Sequence, residues 1–193
     1  MIPQADDVES LSMVGRSREE RLEMFMSTFN DEFKACWDSD DAGVDPHTGR
    51  RPMKFRDFAS HQLDMIETDG FDMQDYSEFV VPGTLVRLYD PPKILANAKC
   101  VTKLQDCSCE AIIEYNKKHG THYSNVCVLK ANSEPLAPCR YYITFQATDR
   151  KRKVETFQAR VNICFAEFRT DVKFEKEVEL VRIKTAPKFF CYS

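Results

Sequence analysis

Four histidines and eight cysteines are the side chains with the greatest chemical reach in this 193-residue chain, and their spacing decides which chemistry to expect. His47, His61, His119 and His122 have no Ser or Cys at a spacing that pairs a nucleophile with a general base, so no catalytic residue is assigned. Cys107-x-Cys109 followed by His119-x-x-His122 supplies zinc-type ligands, but the order spans a helix and its end and lacks the Cys-x-x-Cys of a zinc knuckle. The acidic stretch from Asp38 places Asp38, Asp40 and Gly43 at the first, third and turn-glycine positions of a calcium loop. Ala42 and Gly49 then fall where that loop needs a ligand and a bidentate Glu. No metal is expected, and with six glycines and no Gly-rich phosphate loop no cofactor is implied either. Tyr141, Tyr142, Phe145 and Phe157 are of the right type to stack on nucleic-acid bases, yet most of them alternate with polar residues and are read as core.

The elements that position these residues follow from pattern. A composition of 42% hydrophobic and 30% charged residues is that of a chain able to bury a core, which excludes disorder throughout. No run approaches the roughly 18 apolar residues of a membrane helix, and Met1–Glu9 lacks a basic start followed by an apolar run. No membrane partner is expected, and the chain is placed in the cytoplasm or nucleus rather than outside the cell. The cysteines, at 36, 100, 107, 109, 127, 139, 164 and 191, are accordingly read as reduced and mostly buried thiols. Two positions apart on the helix, Cys107 and Cys109 point to different faces, so one thiol is assigned to the core against the sheet and the other to a position near the surface.

Charge is unevenly divided: residues 1–92 carry 9 basic and 20 acidic side chains, residues 93–193 carry 18 and 11. Self-docking of the acidic half on the basic half is the favoured explanation, with a basic-face nucleic-acid binder as a competing one. The densest cluster, Arg150-Lys151-Arg152-Lys153, has no aromatic residue within it, so it is read as a solvated hairpin tip and nucleic acid is not the expected partner.

Residues 17–37 read as one amphipathic helix, opened by a Ser17/Glu20 capping box, with Leu22, Phe25, Met26, Phe29, Phe33 and Cys36 as its apolar stripe. That stripe is expected to pack on the rest of the chain, the alternative being a helix that docks in another protein's groove. A second helix covers about 54–66, short strands follow at 78–81 and from Thr84, and Asp90-Pro91-Pro92 is taken as the boundary between an acidic N-terminal region, 1–92, and a C-terminal domain, 93–193. Residues 97–118 form a long helix ending at Lys117-Lys118-His119-Gly120. After Gly120 the period becomes two: Tyr141, Ile143, Phe145 and Ala147, then Phe157, Ala159, Val161 and Ile163, form one buried face. With 126–130 and 176–185 this gives an α+β fold, one helix packed across a four- to five-stranded antiparallel sheet.

The order of Cys107-Ser-Cys-Glu-Ala-Ile-Ile-Glu-Tyr-Asn116, Val128-Leu-Lys-Ala131, Tyr141-Tyr-Ile-Thr-Phe-Gln-Ala147 and Phe157-Gln-Ala-Arg-Val161 resembles the plant cystatins over about half of the chain. The Glu67-Thr-Asp-Gly-Phe-Asp72 box is similar to one in crucifer-plant cystatin-related proteins that join an N-terminal region of their own to such a domain. The resemblance implies the cystatin fold and, as partner, a papain-like cysteine protease wedged by a Gln-x-Val-x-Gly first loop, a Pro-Trp second loop and an upstream glycine. Here the first loop becomes Glu134-Pro135-Leu136-Ala137-Pro138, and Phe165-Ala166 stand nearest to the second. Pro138 in place of glycine fixes φ and removes a donor, Trp37 is the only tryptophan, and Gly83 lies too far upstream. The expected function is therefore non-enzymatic protein binding by a cystatin-like fold with a degenerate protease-binding edge, with working protease inhibition as the alternative.

Overall fold

The computed structural model describes residues 15–38, 44, 49–76, 78–80, 86–89, 98–134, 139–164 and 175–185. They fall into two compact units that meet in sequence at Pro82/Gly83.

In the first unit the expected single helix is two. Helix α1 (Arg18–Ser27) opens on the capping box, with the Glu20 amide donating to Ser17 Oγ at 3.2 Å and the Ser17 amide to Glu20 Oε2 at 2.7 Å. It stops because the Ser27 and Thr28 hydroxyls bond back to the carbonyls of Met24 and Phe25, and Asn30 Oδ1 then accepts from the Phe33 amide at 2.8 Å to start α2 (Asp31–Trp37). Short polar side chains that satisfy main-chain groups locally compete with helix continuation, which hydrophobic spacing alone does not register. Helix α3 (Phe55–Thr68) covers the stripe: Leu22, Phe25 and Phe29 are buried with Met53, Phe55, Phe58 and Leu63, and Trp37 stacks on Phe58 at 4.2 Å. The apolar face of α1 is thus occupied within its own unit. Asp38 accepts from the Phe55 amide at 2.9 Å, so this carboxylate caps α3. Strands β1 (Arg51–Pro52) and β2 (Phe79–Val80) pair in parallel.

The hub of this unit is Asp64, whose carboxylate is 6% exposed. It accepts from Arg18 Nη2 at 2.8 Å, the Tyr76 hydroxyl at 2.9 Å and the Gln74 amide at 3.1 Å, joining α1, α3 and the segment after α3. Burial, first of all, pushes the Tyr76 hydroxyl pKa up.

The second unit is β3 (Val86–Tyr89), α4 (Ala98–His119), β4 (Ser124–Glu134), β5 (Cys139–Thr148), β6 (Val154–Cys164) and β7 (Glu175–Ile183). The sheet order β3-β4-β5-β6-β7 is antiparallel throughout. Helix and meander are as the period change predicts. Strand β3 pairs with β4, Val86 opposite Ser133, so the sheet draws on residues upstream of the expected boundary at 90–92.

The core lies between α4 and one sheet face. Cys107 and Ala111, both 0% exposed, let the helix approach closely, and Leu104 and Ile112 complete its buried stripe against Tyr141, Ile143, Phe145, Phe157, Ala159, Val161 and Ile163. Gly120, at φ +64°, ends α4, and the Asn116 side chain bonds to Tyr123 and Thr121 to lock the turn into β4. Burial pushes the Cys107 thiol up to about 11, and Cys109 is half-buried. The cysteines as a group are less hidden than expected: of the six whose side chains are described, Cys107 and Cys139 are buried, Cys100 and Cys109 intermediate, Cys36 and Cys127 exposed.

The expectation of one buried face needs correction. Asn132, Tyr142, Thr144, Gln158 and Asn162, which alternation puts on the opposite face, are also below 9% exposed. Arginines reach across to polar residues of the neighbouring strands there, Arg140 to Asn162, Arg160 to Glu179 and Arg182 to Gln158.

Candidate protein-binding edge

The register places the bases of the two long hairpins side by side. Glu134 is opposite Arg140 where β4 meets β5, Arg140 is opposite Asn162, and Cys164 is opposite Glu175 where β6 meets β7. Of the residues expected to contact a protease, Glu134 is described; Pro135, Leu136, Ala137, Pro138, Phe165 and Ala166 lie outside the described residues.

Glu134 is held on the outer face. Its Oε2 accepts from Arg140 Nη1 at 3.3 Å and from the Tyr142 hydroxyl at 3.2 Å, and its side chain is 18% exposed. Arg140 continues the chain of contacts: Nε donates to Asn162 Oδ1 and Nη2 to Glu179 Oε1, each at 3.1 Å. Glu179 also accepts from Asn162 Nδ2 and, at 2.7 Å, from Arg160 Nε. A register shift between Arg160 and Val161 leaves Glu179 as the extra residue of β7, which aims its carboxylate onto this face. Burial works against its charge, but the Asn162 hydrogen bond and the Arg140 and Arg160 guanidinium groups outweigh it, and the carboxyl pKa lies below the usual Glu range. Tyr142 is raised by burial first and by the Glu134 charge second.

Four strands, β4 to β7, are therefore cross-tied beside the first loop by acids and bases that neutralise each other. The arrangement braces a loop; it contains no nucleophile next to a base. The thiol and imidazole candidates are elsewhere: Cys107 points into the core, and His119 stacks on Tyr115 at 4.3 Å. Sequence reasoning found Glu134 but missed Arg140, Tyr142, Asn162 and Glu179. The detectable signal was that residues two apart on paired strands share a face, which brings Glu134, Arg140 and Asn162 into one row once the hairpins are folded on paper.

Residues 96–175 match the family model of the cystatin domain, a span running from the start of α4 to the first residue of β7. A UPF0725 protein of Arabidopsis thaliana is 31% identical over 116 residues, 55% of this chain and 36% of that protein. The multicystatin of Solanum tuberosum is 32% identical over 81 residues, 42% of this chain and 10% of that protein. The chain thus spans about a third of the first relative's length and a tenth of the second's. Helix, meander, family match and both relatives agree that residues 96–175 are similar to a cystatin domain, which follows a separate helical unit in the sequence.

Proposed function

We propose that this protein binds another protein, without catalysis, through the edge at the bases of the first and second hairpin loops, and that it is not a tight inhibitor of papain-like proteases. The observation that carries this reading is the state of Glu134. It stands where the resemblance puts the first-loop glutamine, and it is drawn back onto the outer face by Arg140 and Tyr142. Desolvating that charged cluster against a protease would be costly, and Pro138 denies the loop the close main-chain approach of a glycine. The six cysteines whose side chains are described are free thiols, which supports a reducing compartment inside the cell. Among the described residues no helix is long and apolar enough to cross a membrane.

The cystatin match itself favours the second reading, a working protease inhibitor. Titrating papain with the full chain separates the two. Full activity at micromolar protein is expected, and inhibition at nanomolar protein would overturn the proposal in favour of the second reading. In parallel, proteins captured from plant extract should be lost from the Arg140→Glu variant, and capture unchanged by that substitution would remove the edge from the interaction.

A further inference from the structure

The opposite end of the same sheet carries a different surface. Helix α4 ends there with Lys117, Lys118 and His119 exposed, and the β5–β6 turn brings Arg150, Lys151, Arg152 and Lys153, also exposed, to the same end, because Ser124 at the start of β4 is opposite Thr148 at the end of β5. Lys153 pairs with Glu155. The Asp149 carboxylate is committed to the turn, accepting from the Lys151 and Lys153 amides at 2.7 and 2.8 Å. Lys117, Lys118, Arg150, Lys151 and Arg152 form no ion pair among the described residues.

Two further observations set this tip apart. Arg152 sits at φ +63°. The Arg152 amide donates to the Asp149 carbonyl at 3.0 Å and the Asp149 amide to the Lys153 carbonyl at 2.9 Å, so Arg152 occupies the left-handed position that closes this hairpin turn, a place where glycine or asparagine is the comfortable residue. The sequence holds a long cation in backbone strain where a neutral glycine would relax the turn. The aromatic residues absent from the linear cluster are supplied by folding: His119 lies exposed on the Tyr115 ring at 4.3 Å, and Tyr123 packs on Phe157 at 4.9 Å within electrostatic reach of Lys153.

We infer that this pole binds single-stranded nucleic acid, its phosphates lying along Arg150, Lys151, Arg152 and the lysines that end α4, with a base stacked on the outer face of His119. Cations beside an exposed ring are the recurring equipment of single-strand binders. The turn Asp149–Lys153 has no apolar or aromatic residue, and the single exposed valine that follows it, Val154, is too small an apolar face to enter a lipid surface; an acidic peptide has no planar base to set on His119.

Fluorescence anisotropy of the full chain with a labelled 20-nucleotide single strand, titrated between 25 and 200 mM salt, tests this. Micromolar binding at low salt is expected, with log K falling against log salt at a slope of about −3.5 for five neutralised phosphates. Arg152→Gly should leave the melting temperature unchanged or raised, while weakening binding several-fold and making the slope shallower. His119→Ala should weaken binding about fivefold or more at an unchanged slope. No binding at 25 mM salt, a slope shallower than about −1, or full affinity in both variants overturns the inference. It is equally overturned if polyglutamate or vesicles containing phosphatidylserine compete with the strand at equal charge concentration.

Discussion

The two units solve the same problem, holding polar groups out of water, in opposite ways. The helical unit gathers its cross-segment polar contacts on one carboxylate: Asp64, buried on the same helix as His61, takes hydrogen bonds from three residues. The sheet unit distributes it, with Glu134, Arg140, Asn162, Arg160 and Glu179 sharing contacts across strands that are already tied by backbone ladders. A hub fails when one member goes, whereas a ladder reroutes. The difference in fragility follows from topology, since three short helices lack the ladder that fixes sheet neighbours in place.

Asp64→Ala is the harshest way to break this contrast. Removing the hub should destabilise the helical unit by about 3 kcal/mol, the low end for a broken buried pair because Arg18, 36% exposed, can still reach water. Hydrogen exchange should show protection lost over residues 18–27 and 55–68 and retained over 139–164; loss spread equally over both would mean that the two units unfold as one. A smaller, pH-dependent effect is expected at Glu179. Its carboxyl pKa is depressed in the folded state, so its contribution is present above the unfolded value and is lost as pH falls through the folded one. Glu179→Gln should therefore flatten the decline in sheet stability below about pH 4.5, measured by urea unfolding at successive pH values. Parallel curves for the two proteins would remove Glu179 from the acid response. Smallest of all is Glu134→Ala, expected to cost about 0.2 to 1 kcal/mol because Arg140 keeps Asn162 and Glu179. A loss above about 2 kcal/mol would show that the outer face depends on a hub after all.

What the sequence disclosed tracks the range of the forces involved. The α4 stripe and the alternation at 141–147 and 157–163 are repeating local signals of apolar burial, and they specify the helix-on-sheet core directly. The break at Asn30 depends on hydroxyl and amide hydrogen bonds that spacing does not encode, although Ser27, Thr28 and Asn30 together mark it in hindsight. Membership of β3 in the sheet and the company Glu134 keeps are long-range matters of register. Glu179 was the hardest to foresee, since a single extra residue in β7 decides which way its carboxylate faces.

Packing α4 directly on the sheet through Cys107 also sorts the thiols by reactivity. With its pKa near 11, Cys107 is about one-thousandth thiolate at pH 8 and sealed in the core, whereas Cys36 and Cys127 are exposed, one in each unit. A maleimide added to the native protein therefore meets Cys36 and Cys127 ahead of Cys107. The delayed modification of Cys107 times the opening of the helix from the sheet, and a dye pair on Cys36 and Cys127 serves as a ruler from one unit to the other.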